Sequence, residues 1–265
     1  MKLELYQVDA FASEVFGGNP AAVSIHHSWL PDSLMQWIAA ENNLSETAFV
    51  VPLGGTFGIR WFTPAMEVDL CGHATLAAAH VLFKHYGTRG NRIEFESSRS
   101  GSLAVEQHGE MLTLDFPADH IEEVEIPELL VKAMNKHPLA AFRGRSDYLL
   151  IYASQEEIAS IQPDMGLLRE LGARGVIVTA RGEKDDMVSR FFAPGAGIDE
   201  DPVTGSAHTT LAVYWSKVLG KNSLNARQIS KRGGELRCDV RGRRVLISGR
   251  AVTYLKGEIE VPVWD

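Results

Sequence analysis

The chain has 265 residues, of which 45% are hydrophobic and 23% charged, a composition typical of globular proteins rather than of disordered or fibrous ones. Its formal net charge of -8 argues against nucleic acid as the main partner. Two cysteines are too few for a disulfide scaffold. The first residues, MKLELYQVDAF, lack the apolar segment of a signal peptide, and no run of 18 apolar residues predicts a membrane span. We therefore expect a cytoplasmic protein that does not act at a membrane.

The first half of the chain predicts a helix, two strands and a second helix, in that order. Residues 30–43, LPDSLMQWIAAENN, have a proline where a helix would begin and asparagines where it would end. The runs TAFVV and FGIRWFTP follow and are typical of strands. A loop then leads to an Ala-rich helix that is expected to begin at Gly72 and to stop near Gly87.

The second half repeats this order of elements. QPDMGLLRELG predicts a helix, GVIVTA and VSRFFAP predict strands, and a final helix is expected from Gly205 to near Gly220. The matching anchors lie 132, 130 and 133 residues apart, for the pairs Pro31 and Pro163, Pro64 and Pro194, and Gly72 and Gly205. Such a fixed period predicts an internal duplication. We place the domains at residues 1–118 and 119–265, because LDFPADHIEEVEIPELL breaks the pattern, and leave open a return of the last strand to the first domain.

The two glycine-led helices predict an anion site. If both halves fold alike, a pseudo-twofold axis relates these helices, and their N-termini face one inter-domain cleft. A helix N-terminus offers unpaired backbone N–H groups and partial positive charge, which suit a carboxylate or a developing oxyanion. The alternative is an ordinary helix start with glycine near the cap.

Four motifs resemble those of a known family. VDAFASEVFGGNPAAV, LSETAFV, FTPAMEVDLCGHATLAA and DEDPVTGSAH resemble, in order, the motifs of the PhzF-type phenazine-biosynthesis isomerases. More distantly, the chain is similar to diaminopimelate epimerase. The resemblance implies an α+β fold of two similar domains, each a mostly antiparallel sheet wrapped around a central helix. It also implies a homodimer with its site between the domains.

The residues that precede Gly72 and Gly205 argue against a racemase that uses two thiols. Epimerases and proline racemases of the fold are similar in using two facing thiols, one at the start of each central helix. Here Cys71 precedes Gly72, whereas Thr204 precedes Gly205. Cys238 lies 33 residues beyond Gly205 and cannot replace the second thiol. A two-thiol racemase is therefore not expected, and a part for Cys71 stays open.

The resemblance assigns roles to three side chains. Glu46 of the S-E-T motif would be the general base that removes a C–H proton and returns it elsewhere on a conjugated substrate. His73 would relay or orient a proton, and Asp201 would hold a substrate hydroxyl or amine. From the residues alone, Glu46 belongs to a polar turn, His73 to a helix start, and Asp201 to a polar loop before a proline.

The resemblance also implies where a substrate carboxylate would bind. The backbone N–H groups of Gly72, His73, Gly205 and Ser206 would receive it. No metal is expected, because the helical histidines have no partners at metal-ligand spacing. No cofactor is expected either, because FGGNPAAV lacks the spacing of a phosphate-binding loop.

Two functions remain at this stage. The first is a cofactor-independent isomerase that shifts a proton on a small unsaturated carboxylic acid of the dihydro-hydroxyanthranilate type. The second is a non-catalytic protein of the same fold that binds a small ligand or a protein partner. Glu46, His73, Asp201 and Ser206 together favour the enzyme.

Overall fold

The computed structural model describes residues 1–263. Its first elements in chain order are β1 (Lys2–Ala10), β2 (Asn19–Ile25), α1 (Asp32–Asn42), β3 (Glu46–Pro52), β4 (Phe57–Phe62), β5 (Glu67–Val68), α2 (Gly72–Lys84), β6 (Arg92–Ser97), β7 (Gly101–His108) and β8 (Met111–Pro117). They are followed by β9 (Glu122–Val124), α3 (Glu128–Met134), β10 (Ala140–Arg143), β11 (Asp147–Ile151), α4 (Gln155–Ala159), α5 (Met165–Arg169), β12 (Gly175–Ala180), β13 (Met187–Phe192), a short 3₁₀ helix (Pro194–Ala196), α6 (Gly205–Leu219), β14 (Ser223–Gln228), β15 (Gly234–Arg241), β16 (Arg244–Gly249) and β17 (Ala251–Glu260).

These elements form two compact units. The first comprises Met1–Asp115 together with the chain from Ser248 onward, and the second comprises Phe116–Ile247. The first unit ends close to residue 118, where the sequence suggested a domain boundary, and β17 belongs to the first unit. The independent folding of two domains stays a prediction.

In the first unit, a curved run of strands encloses one helix. The strands pair in the order β17, β1, β2, β3, β4, β6, β7 and β8, and only the pairs β2–β3 and β4–β6 are parallel. Every residue of α2 from His73 to Leu82 is buried, and the helix contacts β1, β2, β3, β7 and β17. A helix that is apolar on all sides is stable only when it is enclosed, and the Ala-rich sequence of α2 allows strands to approach it closely.

The second unit repeats this arrangement. Its strands pair in the order β9, β10, β11, β12, β13, β14 and β15, with β11–β12 and β13–β14 parallel. Its central helix is α6, which is buried along most of its length and contacts β11, β14 and β15. The predicted α+β fold of two similar units, each with a mostly antiparallel sheet around a central helix, is confirmed.

The strand registers match the two units residue by residue. In the pair β3–β4, Thr47 lies opposite Phe62, and in the pair β12–β13, Val176 lies opposite Phe192. The runs FGIRWFTP and VSRFFAP share the motif Arg-aromatic-Phe-x-Pro, and the two phenylalanines occupy the same place in it. One residue earlier, Glu46 of the first unit therefore matches Gly175 of the second.

The helix ends agree with the sequence at some places and differ at others. The chain around 162–172 was expected to form one helix, but α5 spans only five residues. The Asp164 side chain caps this helix by accepting hydrogen bonds from the backbone N–H groups of Gly166 and Leu167, so the helix begins later than its proline suggests. The last helix ends as predicted, with Gly220 in the left-handed region at φ 64°. Within residues 1–263, no helix is both long and apolar enough to cross a membrane.

Candidate active site

Glu46 is placed by the end of α1 and the start of β3. Asn43 follows α1 in the left-handed conformation, with φ 48°, and this turns the chain toward β3 within three residues. The Asn42 side-chain amide donates a hydrogen bond to the hydroxyl of buried Thr47 at 3.0 Å, on the far side of the turn. As the first residue of β3, Glu46 has a side chain that is only 13% exposed. Its carboxylate is therefore largely withdrawn from water.

The central helix α2 begins without a capping side chain. Its N-cap residue, Cys71, is extended and its side chain makes no capping hydrogen bond to the helix backbone, and the first turn contains no acidic residue. The short helices α4 and α5 differ, because Ser154 and Asp164 cap them. In α2, the side chain of the N-cap residue does not take up the backbone N–H groups that begin at Gly72.

His73 connects Glu46 to the helix start. Its Nε2 atom lies 3.2 Å from Glu46 Oε2, although the two groups are not aligned as a regular hydrogen bond. Such contacts are often poorly aligned before a substrate binds. Burial lowers the pKa of His73 to about 3, so the imidazole is neutral near pH 7.

The proton of this neutral ring is positioned by Asn19. The Asn19 side-chain nitrogen lies 3.3 Å from His73 Nδ1, and the Asn19 side-chain oxygen accepts a hydrogen bond from the Ser45 hydroxyl at 3.3 Å. An amide nitrogen only donates, so Nδ1 acts as an acceptor. The ring proton is then on Nε2, the ring nitrogen that lies 3.2 Å from the Glu46 carboxylate. The Cys71 sulfur lies 3.4 Å from the other nitrogen, Nδ1.

Asp201 lies in the second unit, in the loop that precedes α6. Its side chain is buried, and its carboxylate accepts a hydrogen bond from the Thr204 hydroxyl. Buried Gln228 of β14 holds this loop, because its side-chain nitrogen donates to the backbone oxygen of Asp201 at 2.7 Å and its side-chain oxygen accepts from the backbone N–H of Thr204 at 2.9 Å. The position of Asp201 is therefore fixed by a strand that follows it by more than twenty residues.

The start of α6, like the start of α2, lacks a capping side chain at its N-cap residue. Its N-cap residue, Thr204, is extended and makes no side-chain hydrogen bond to the helix, because its hydroxyl donates to Asp201 instead. Gly205 is buried as the first helical residue, whereas Ser206 is exposed. The structure thus groups Glu46 and His73 with Gly72 in one unit, and Asp201 with Gly205 and Ser206 in the other.

Comparison with known proteins agrees with this arrangement. The family model PhzC-PhzF, described as phenazine biosynthesis-like protein, matches residues 8–257. The chain belongs to this family. An uncharacterized isomerase of Pseudomonas aeruginosa is 53% identical over 261 residues, which cover 98% of this chain and 100% of that protein.

Solved structures give the same result for the fold. A PhzF-family protein of Enterococcus faecalis has a TM-score of 0.96 and 48% sequence identity, covering 98% of this chain and all of that one. A predicted epimerase of Pseudomonas aeruginosa, 21% identical with a TM-score of 0.75, covers 98% of this chain and all of that one, and shows the fold alone. The resemblance of the sequence motifs to the PhzF type is confirmed.

One group in this PhzC-PhzF member could hold a metal ion. Glu46, Cys71 and His73 each offer one ligand atom, and these atoms lie within 4.8 Å of one another. With the Asn19 amide as it stands, however, the Nε2 atom near Glu46 carries a proton, and the lone pair of Nδ1 accepts from that amide, so an ion would have to displace one of these contacts. The arrangement fits acid-base chemistry better than it fits metal binding.

Three residues near the candidate positions were missed from the sequence. Ser45 and Asn19 fix the His73 tautomer, and Gln228 fixes the loop of Asp201. The motif FGGNPAAV contains Asn19 and could have directed attention to it. No local signal marks Gln228, since its partners lie 24 and 27 residues away in the chain.

Proposed function

We propose that the chain is a cofactor-independent isomerase that shifts a proton on a small unsaturated carboxylic acid of the dihydro-hydroxyanthranilate type. Glu46 is the general base. The contact of its carboxylate with His73 at the start of α2 carries the proposal, because it joins a buried base, an oriented imidazole and an uncapped helix end. The relative named as an isomerase supports the class of reaction.

In the proposed reaction, a Glu46 carboxylate oxygen takes a proton from an acidic C–H group of the substrate. The electron pair left on carbon spreads through the conjugated system toward the substrate carboxylate. The protonated Glu46 then returns the proton to another carbon of that system, so that no net proton or electron is consumed. The His73 Nε2–H group orients the carboxylate, and because the ring is neutral it places no full positive charge beside the base.

The remaining candidates are proposed to bind the substrate. The backbone N–H groups of Gly72, His73, Gly205 and Ser206 receive the carboxylate, which is consistent with the absence of a capping side chain at both helix starts. Asp201 accepts a hydrogen bond from a substrate hydroxyl or amine. Its buried carboxylate, which accepts a hydrogen bond from the Thr204 hydroxyl, supports a positioning part of this kind.

A comparison of matched positions supports one base rather than two. Thr204 takes the place that Cys71 has in the first unit, and Gly175, which has no side chain, takes the place of Glu46. A racemase that works with a pair of bases needs an acid-base side chain on each face of its substrate. The proposed shift needs only one, which both removes and returns the proton.

Hydrogen–deuterium exchange tests the proposal directly. Wild type, Glu46→Gln and Glu41→Gln are incubated in heavy water with 2,3-dihydro-3-hydroxyanthranilate and a panel of small unsaturated carboxylic acids, and deuterium uptake is followed by mass spectrometry. Glu41 is exposed near the end of α1 and serves as the matched control. We expect uptake in wild type and Glu41→Gln and at least a roughly hundredfold loss in Glu46→Gln, as for removal of a general base.

Three outcomes would contradict the proposal in different ways. Equal exchange in wild type and Glu46→Gln would exclude Glu46 as the base, and loss of exchange in Cys71→Ala would then indicate the thiol. Exchange that needs both Glu46 and Cys71 would indicate a two-base reaction. Binding of a carboxylate without exchange in wild type would support the non-catalytic alternative.

The resemblance further leads us to propose a homodimer in the cytoplasm that works without a bound cofactor. Sedimentation velocity of the purified protein measures the oligomeric state, and a monomer at micromolar concentration would contradict the dimer. Native mass spectrometry of the active protein measures any bound cofactor. Activity that depended on an added cofactor would contradict the cofactor-free mechanism.

A further inference from the structure

Arg174, in the second unit, contacts the second residue of α6. Its Nη2 atom lies 3.1 Å from the Ser206 hydroxyl oxygen. The same guanidinium makes a two-pronged pair with Asp147, in which Nε donates to Oδ1 at 2.9 Å and Nη2 donates to Oδ2. Nothing in the sequence patterns pointed to this arginine.

The contact determines how the Ser206 hydroxyl is used. A guanidinium has donors and no acceptor, so the Ser206 oxygen must accept from Arg174. The hydroxyl proton is then directed away from Arg174. Because Ser206 is exposed, that proton is available to an acceptor on a bound ligand.

The arginine is held rigidly enough to orient a hydroxyl. Asp147, its main partner, has a side chain only 4% exposed, and the guanidinium carbon lies 5.6 Å from the centre of the Phe191 ring. Burial lowers the pKa of Arg174, but the hydrogen bond and charge of Asp147 and the charges of Asp201 and Asp119 outweigh it and raise this pKa. Arg174 therefore stays cationic, and its two-pronged pair with buried Asp147 orients its planar group, although its own side chain is 41% exposed.

The first unit contains a corresponding connection. Ser45 and Arg174 each stand directly before the first residue of a matched strand, β3 or β12. His73 and Ser206 are each the second residue of a central helix. Ser45 is connected to His73 by hydrogen bonds through the Asn19 side chain. Arg174 donates a hydrogen bond directly to Ser206. In both units, the residue before the strand sets the hydrogen-bonding state of the second helical residue.

We propose that Arg174 is a positioning residue that turns the Ser206 hydroxyl proton toward a ligand carboxylate and so gives the protein its preference for a carboxylate over a neutral amide. The inference rests on the proposed function, in which Ser206 binds the substrate carboxylate. The inference adds Arg174 as the residue that orients the Ser206 hydroxyl so that it donates to that carboxylate. An amide offers a weaker acceptor than a carboxylate and gains less from an oriented donor.

A pair of probes that differ in one group tests this inference. Isothermal titration calorimetry measures the Kd of 3-hydroxyanthranilate and of 3-hydroxyanthranilamide, neither of which undergoes the proposed proton shift. The proteins are wild type, Arg174→Met, Arg174→Lys, Ser206→Ala and the double variant Arg174→Met with Ser206→Ala. We expect wild type to prefer the carboxylate, Arg174→Met and Ser206→Ala each to lose roughly tenfold of that preference, and Arg174→Lys to keep part of it.

The double variant separates positioning from direct contact. If Arg174 acts through Ser206, replacing Arg174 in the Ser206→Ala background changes the preference no further. An additional loss in that background would mean that Arg174 contacts the carboxylate itself and would overturn the inference. Unchanged preference in folded Arg174→Met would overturn it as well. Removal of Arg174 leaves buried Asp147 without its partner and could unfold the protein. In that case Ser206→Ala still tests the inference, because it changes only an exposed side chain.

Failure of the inference can be distinguished from failure of the proposed function. Proton exchange by wild type tests the proposed function, and the preference of wild type and Arg174→Met for the carboxylate probe tests the inference. If wild type exchanges protons and prefers the carboxylate but Arg174→Met keeps that preference, only the inference is wrong. If wild type neither exchanges protons nor distinguishes the two probes, the proposed function is wrong and the inference falls with it.

Discussion

Lowering the pH should destabilise this protein through its buried histidines. Burial lowers the pKa of His73 to about 3 and is the largest cause that lowers the pKa of His80 and of His208 to about 4. Burial also lowers the pKa of His26 and His85. The folded protein thus keeps these rings neutral at pH values where the unfolded chain already binds protons. Their contribution is fully present above pH 6.5 and is lost as the pH falls toward the folded pKa values.

The size of the effect follows from these pKa values. Between pH 7 and pH 5, a histidine with an unfolded pKa of about 6.5 and a folded pKa of about 3 to 4 takes about 2 kcal/mol from the free energy of unfolding. His73, His80 and His208 together therefore account for about 6 kcal/mol, a large part of the ~5–15 kcal/mol that stabilises a typical protein. Carboxylates whose pKa is lowered, several of them by arginine partners, titrate at lower pH and do not contribute in this window.

Urea unfolding at pH 7 and pH 5 measures this loss, and His80→Gln isolates one ring. His80 belongs to none of the proposed site groups, and its Nε2 atom contacts the Thr253 hydroxyl at 3.0 Å, a contact that a glutamine amide can replace. We expect the free energy of unfolding to fall by about 6 kcal/mol in wild type but by only about 4 kcal/mol in His80→Gln. Exposed His120 supplies the control, since it lies outside the group of histidines named above and His120→Gln should lose about as much stability as wild type. An equal loss in wild type and His80→Gln would refute the reasoning for this ring.

Two further substitutions test the packing of the second unit. Gly175→Ala should lower the free energy of urea unfolding by about 1–3 kcal/mol, because a Cβ atom there would lie 2.5 Å from the Phe191 ring and 2.8 Å from a backbone oxygen. Gly55→Ala is the control and should be near neutral, since no atom lies within 4 Å of a Cβ atom at that position. Equal losses of stability in the two variants would contradict the argument. Gln228→Leu should cost about 2–3 kcal/mol, since it leaves the buried backbone oxygen of Asp201 without this donor. Its affinity for 3-hydroxyanthranilate should also fall, and wild-type stability and affinity together would show that the loop does not depend on Gln228.

Much of the fold could be predicted because the residues that mark the beginning and end of its helices and strands are local in sequence. Prolines before helices, glycines after them, and the Arg-aromatic-Phe-x-Pro motif mark the element order in each half, and a duplicated order needs no knowledge of contacts. The prediction failed in length for α5, where Asp164 moved the helix start past Pro163. The curvature of the sheets around α2 and α6 came from family resemblance, since buried strands carry no periodicity that reveals it.

The polar supports of the site could not be predicted, for a physical reason. Asn19 contacts His73 across 54 residues, Arg174 contacts Ser206 across 32, and Gln228 contacts Thr204 across 24. Each pair meets only because strand pairing sets which residue lies beside a helix start. A polar residue at a strand end has no local pattern that distinguishes a support of this kind from a solvated side chain.

At the matched site positions, the two units differ at the start of a strand rather than in the glycine that begins the central helix. The first residue of β3 is Glu46, and the matched first residue of β12 is Gly175. At Gly175 the space for a side chain is occupied by the Phe191 ring, so no base could be accommodated there without repacking. The two central helices, in contrast, keep the same glycine-led, uncapped start. The helix starts that are proposed to bind the carboxylate therefore occur in both units, whereas the side chain that is proposed as the base occurs in only one, and this asymmetry fits the proposed proton shift by a single base.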